Sequence, residues 1–209
     1  MTDTVLLLHG LWMRGFALSV LARRLRDAGF SVDVFDYLSV TGGAERATER
    51  LRARLDLAAA RDDRVHVIGH SLGGLIALEA LRGRNARPGE RALCLGSPLK
   101  GSVAAARLGA WPGGSFLLGR SFERLRDGVA PWSGPHQVGV IAGRLPYGLG
   151  MFSHGLAEPH DGTVAVAETE LPGISDHHVV SASHTGLVYS EEVAALCARF
   201  LRCGAFAAS

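Results

Sequence analysis

The chain has 209 residues, 47% hydrophobic and 20% charged, enough to bury one substantial core and consistent with a single domain over 1–209. Its 22 basic and 20 acidic residues leave a net charge of +2 and are spread along the sequence, which argues against nucleic acid as a partner because no basic patch forms. No stretch approaches the roughly 18 apolar residues needed to cross a bilayer, and the chain enters an apolar run without a basic leader or cleavage site, so a cytoplasmic protein is expected.

Short apolar runs alternate with amphipathic segments, the rhythm of strand-helix-strand units around a mainly parallel sheet of about six strands flanked by helices. In chain order the predicted strands are 4–8, 31–36, 65–69, 91–96, 137–142 and 176–181. A first helix near 16–28 places Leu18, Leu21, Ala22 and Leu25 on one face and stops at Gly29. A second, near 43–60, repeats Ala44, Ala47, Leu51, Leu55 and Ala58 at helical spacing. The last helix, near 187–202, uses Tyr189, Val193, Leu196, Cys197, Phe200 and Leu201 as its apolar stripe, with Ser190 as N-cap and Glu191 and Glu192 in its first turn. Between the fourth and fifth strands the rhythm breaks. The segment from Gly101 to Pro135 is too long for a simple crossover and is predicted to form a small cap, with Leu118, Phe122, Leu125 and Val129 as one helical stripe lining an acyl pocket or packing on the sheet. Cys94, Cys197 and Cys203 are odd in number, which suits reduced thiols better than a disulfide framework.

The chemistry centres on Gly69-His70-Ser71-Leu72-Gly73. In a chain with 27 glycines the pentapeptide alone says little, but here an apolar strand precedes it and an apolar helix follows. That context defines a nucleophile elbow, a sharp turn that leaves the serine hydroxyl exposed above a sheet. A serine is a poor nucleophile at neutral pH unless a histidine takes its proton and an acid orients that histidine. Asp161, before Gly162 in the region after the fifth strand, is the best acid, with Asp176 and Glu158 as rivals. His184, directly after the sixth strand, is the best base; His177 and His178 read as part of that strand. A tetrahedral intermediate also needs two N–H donors. Leu72 is positioned to supply one, and the loop after the first strand the other, through Leu11 or Trp12, with Leu11 preferred. His9 reads as a support for that loop, and Trp12 and Met13 are candidates for packing or substrate contact. Six of nine histidines follow residue 135, yet none has the spacing of a zinc site, so no metal and no cofactor are expected.

His9-Gly10, the elbow, Asp161-Gly162 and Ser183-His184-Thr185 together resemble the α/β-hydrolase superfamily, in its compact lipase and esterase branch. Gly96-Ser97-Pro98-Leu99-Lys100-Gly101-Ser102 is similar to a loop after the elbow in bacterial triacylglycerol lipases and inositol-deacylase-like proteins. The resemblance covers nearly the whole chain, which starts at what that family counts as its third strand. It implies a Ser71, His184 and Asp161 triad, acyl-enzyme chemistry without a cofactor, and a small-molecule or lipid-like ester substrate. Thioester cleavage, acyl transfer with the same residues, and a binding protein without turnover are the alternatives; oligomeric state is not legible.

Overall fold

The computed structural model describes residues 3–61, 63–147 and 155–207. Six strands, β1 (Thr4–Leu8), β2 (Ser31–Phe35), β3 (Val65–His70), β4 (Arg91–Leu95), β5 (Gln137–Gly143) and β6 (Asp176–Val180), form one sheet in the order β2-β1-β3-β4-β5-β6. Every neighbouring pair is parallel. All parallel ladders require cover on both faces, and alternation along the strands provides it. In β1, Leu6 and Leu8 join a cluster with Leu51 and Leu55, whereas Val5 and Leu7 join a second with Leu21, Leu25 and Phe200.

The helices divide between these two clusters. On one face lie α2 (Gly43–Ala60), α3 (Leu72–Leu81) and the cap helices α4 (Val103–Ala110), α5 (Gly114–Leu118) and α6 (Phe122–Asp127); on the other lie α1 (Ser19–Asp27) and the C-terminal α8 (Glu191–Cys203). A one-turn α7 (Val166–Thr169) precedes β6. Helix α3 is apolar apart from Glu79, in keeping with its burial along nearly its entire length. As expected, Ser190 caps α8, its hydroxyl accepting the Val193 N–H at 3.2 Å.

Three expectations need correction. The first helix is a 3-10 turn, Gly15–Leu18, followed by α1, so buried Leu18 lies ahead of the α-helix. Tyr189 precedes α8 and is exposed, since the chain there forms a 3-10 turn before Ser190. The cap stripe from Leu118 to Val129 is not one helix: Gly113, Gly119 and Gly128 all take positive φ and divide the segment into short pieces.

The topology creates the site. From β1 the chain runs outward to β2, then crosses back to β3 on the other side, so the crevice between the carboxyl ends of β1 and β3 is a switch point where ligands bind in open parallel sheets. The register pairs Leu8 with Gly69, bringing the loop after β1 level with the elbow.

Candidate active site

Ser71 joins β3 to α3 with φ 55° and ψ −122°. Holding a side chain in such a conformation costs on the order of 1–3 kcal/mol, which surrounding contacts must offset. The Ser71 N–H donates to the Leu95 carbonyl at 2.8 Å, tying the turn to β4, and the Gly74 N–H donates to the Ser71 carbonyl at 3.0 Å. The flanking glycines leave room for the bend. A Cβ on Gly69 would lie 2.2 Å from the Gly73 carbonyl carbon, and one on Gly73 would lie 2.6 Å from the Leu8 oxygen.

Asp161 and His184 meet at this end of the sheet. The His184 ring contacts Asp161 through Nδ1 and Oδ2 at 2.7 Å, and the His184 N–H donates to the Asp161 carbonyl at 2.8 Å. Because an ionised carboxylate only accepts, Nδ1 carries the proton and Nε2 is the bare nitrogen. The other carboxylate oxygen receives the N–H groups of Thr163 at 2.9 Å and Val164 at 2.7 Å, and the side chain is 1% exposed. Gly162, at φ +94°, makes that turn. The rivals are engaged elsewhere: Asp176 accepts from the N–H groups of His177 and Phe206, Glu158 is exposed beside His160, and His177 contacts the Thr169 hydroxyl. His178 packs near Phe206.

Two backbone amides are the candidate donors to an oxyanion. Leu72 is the first residue of α3, so its N–H has no acceptor within the helix and sits at the positive end of the helix dipole. In the loop after β1, the Trp12 N–H is already committed to the Ser39 hydroxyl at 3.2 Å, which favours Leu11 as the second donor. A Cβ on Gly10 would lie 3.0 Å from the Ser71 Cβ, a measure of how closely this loop crosses Ser71. His9 supports it from below, fully buried and stacked on Tyr37 at 4.3 Å, with Nδ1 2.8 Å from the Gly10 carbonyl and the Tyr37 hydroxyl donating to the His9 carbonyl at 2.6 Å.

Ser71 and His184 open into a cavity of about 450 Å³. Its far wall is apolar, built by Ala104, Ala105 and Leu108 of α4, Leu118 of α5 and Leu125 of α6. Leu11, Trp12 and Met13 line the near side. Trp12 reaches across to the cap, its indole N–H donating to the Leu117 carbonyl at 3.0 Å. Of the expected pocket residues, Phe122 and Val129 are not brought into the lining: the Phe122 ring fills the space left by Gly109, where a Cβ would come within 2.3 Å, and Val129 packs in the core.

Several contributors escaped sequence reasoning. Gly96, at φ +54°, passes under the acid-base pair so closely that a Cβ there would lie 3.1 Å from Asp161 Oδ2 and 3.2 Å from His184 Nδ1; the Gly96-Ser97-Pro98 signature was its only sequence signal. Glu168 is a buried carboxylate that accepts the Val103 N–H at 2.7 Å and the Ala165 N–H at 2.8 Å, joining the cap to the loop that carries Asp161. Burial raises its pKa, against the pull of those two amides. His70 lies between elbow and base, and desolvation with the adjacent His184 pushes its pKa down to about 3. The pKa of the Cys94 thiol, on β4, is pushed up to about 12 by burial. Among the described residues no three His, Cys, Asp or Glu side chains gather as metal ligands, and no helix is long and apolar enough to cross a membrane.

A nucleophile elbow on a parallel sheet, with an acid and a base on later strand ends, defines a class of fold and site shared by many hydrolases. The chain belongs to the alpha/beta hydrolase family, whose sequence profile matches residues 5–202. Comparison with curated proteins gives no match. Among solved structures it is similar to the mature form of Bacillus licheniformis lipase BlEst2, with a TM-score of 0.74 and 17% identity, covering 96% of this chain and 92% of that one. Phospholipase PlaB from Legionella pneumophila aligns at TM-score 0.73 and 16% identity over 96% of this chain and 60% of that one. The Paleococcus ferrophilus monoacylglycerol lipase aligns at 0.62 and 16% over 96% and 95%. At these identities the likeness establishes the fold alone.

Proposed function

We propose that this protein is a serine hydrolase that cleaves a carboxylic ester with an apolar acyl part. The observation that carries the reading is the Asp161-His184 hydrogen bond at 2.7 Å, on a base that shares an apolar cavity with a strained Ser71. With Nδ1 protonated and held by Asp161, His184 Nε2 is free to accept the Ser71 hydroxyl proton as Oγ attacks the ester carbonyl carbon. The carbonyl π electrons move to oxygen, and the Leu11 and Leu72 N–H groups stabilise that charge. Collapse of the intermediate breaks the bond to the alcohol, whose oxygen takes the proton from His184. Water then repeats the sequence on the acyl-enzyme, with His184 again accepting a proton, and the carboxylic acid leaves as Ser71 regains its hydrogen. Asp161 keeps the ring in one tautomer and stabilises the transient imidazolium throughout.

The apolar wall from α4 to α6 suits the acyl chain, and no cofactor enters the scheme. The exposed and buried free thiols Cys94, Cys197 and Cys203 favour a reducing compartment, and we place the protein in the cytoplasm. A panel of p-nitrophenyl esters of increasing acyl length tests the activity. Turnover that falls ~10⁵- to 10⁶-fold in Ser71→Ala with folding intact is the expected result, by analogy with other triads. Undiminished turnover in that variant, or none in the wild type on any ester, would refute the assignment.

A further inference from the structure

Within this hydrolase reading, we infer that His70, the residue just before the nucleophile, is a positioning residue that sets the placement of His184 by hydrogen-bonding its backbone. His70 is 2% exposed and lines the same cavity as Ser71 and His184. Its Nε2 lies 2.9 Å from the His184 carbonyl oxygen. A carbonyl cannot donate, so Nε2 carries the proton and donates. That leaves Nδ1 as a bare acceptor, and it is buried with no hydrogen-bond partner. It faces Gly10 closely enough that a Cβ there would sit 3.2 Å away.

The bond matters because of what else holds His184. Its N–H is fixed by the Asp161 carbonyl and its ring by Asp161 Oδ2. Both anchors come from one loop; His70 provides the third, from the elbow itself, and thereby fixes the base relative to Ser71. Misplacing a reacting group by ~1 Å can cost ~10²-fold in rate. The rings also pack, with centroids 4.7 Å apart and a 46° tilt. The ionisable groups around His70 are His184 and Asp161 on one side and His9 on the other. With two histidines and one carboxylate as neighbours and an apolar burial site, His70 stays neutral, so no fixed positive charge opposes the imidazolium that forms on His184.

The test compares His70→Leu, which removes the donor, with His70→Gln, which retains a side-chain N–H of similar reach. Expected in His70→Leu is a 10- to 100-fold loss of kcat on the best p-nitrophenyl ester, about the scale of a small misplacement, with KM within about threefold. His70→Gln should recover most of that loss. Fluorophosphonate labelling of Ser71 should slow and recover in parallel. A melting temperature equal in both variants, with the rate lost in both, would overturn the inference, as would unchanged kcat in His70→Leu. Should either variant fail to fold, NMR of wild-type His70 decides: a neutral Nε2–H tautomer down to about pH 4 supports the bond, and titration near the ordinary histidine value of ~6.5 contradicts it. Labelled and active wild type with an indifferent His70→Leu sinks only this inference. Unlabelled, inactive wild type sinks the hydrolase reading with it.

Discussion

At the scale of single residues the account depends on hydrogen bonds of 2.7 to 2.9 Å around Asp161. Asp161 uses one oxygen for His184 and the other for two backbone N–H groups, so its orientation is determined before any substrate arrives. Asp161→Asn can keep the two backbone bonds through its amide oxygen, but its NH₂ group would then face His184 Nδ1. The ring would have to accept there and protonate Nε2, the tautomer that cannot take the serine proton. The expected loss is ~10⁴-fold in kcat with an unchanged fold, measured by steady-state kinetics beside circular dichroism. A loss below tenfold would show that Asp161 does not orient the base. Gly69→Ala belongs to a different class of effect. Its Cβ would collide with the Gly73 backbone at 2.2 Å, so this variant should lose the elbow and, with it, soluble folded protein.

The elements explain both what could be read in advance and what could not. The six strands begin where the sequence places them and end within one residue of it; the four inner strands are nearly continuous apolar runs buried on both faces, while the edge strands β2 and β6 are more polar and partly exposed. Helix α2 spans the expected 43–60, its Ala and Leu positions repeating at helical spacing against the sheet. The cap was less legible. Its apolar residues fall at helical intervals, yet glycines with positive φ interrupt them, and only tertiary contact decides that Leu118 and Leu125 face the cavity while Phe122 packs against Gly109. For the site, motif and chain order lead to Ser71, Asp161 and His184, which converge. Nothing local marks the roles of His70 and Glu168 in joining distant segments, since the His184 carbonyl lies 114 residues from the one and the Val103 N–H 65 from the other. At this scale α4 is predicted to set acyl length. Ala104→Phe should fill the apolar wall, cutting kcat/KM for medium-chain esters at least tenfold while leaving acetyl esters within a few-fold. Equal loss on all chain lengths would show that the acyl group lies elsewhere.

For the whole molecule, pH is the natural perturbation. Burial lowers the pKa of His66, His136 and His177, and holds His70 at about 3. A depressed folded-state value means the native protein binds fewer protons than the unfolded chain. The stability linked to these four groups is therefore fully present above the unfolded value of ~6.5 and is lost as pH falls toward the folded values. Glu168, raised by burial, acts in the opposite sense, its contribution present below the ordinary carboxylate range and lost as pH rises through its folded value. Four histidines outweigh one carboxylate between pH 6.5 and 4. Thermal melting across that window should show a steady fall in Tm on acidification; a flat or rising profile would mean the histidines are not held neutral.

All of these features converge on one hydroxyl. The central claim is most directly tested by treating wild type and Ser71→Ala with a fluorophosphonate and locating the adduct by mass spectrometry. A single adduct on the peptide carrying Ser71, absent from the variant and from heat-unfolded protein, is the predicted result. No adduct on folded wild type, or one that survives in Ser71→Ala, would contradict it.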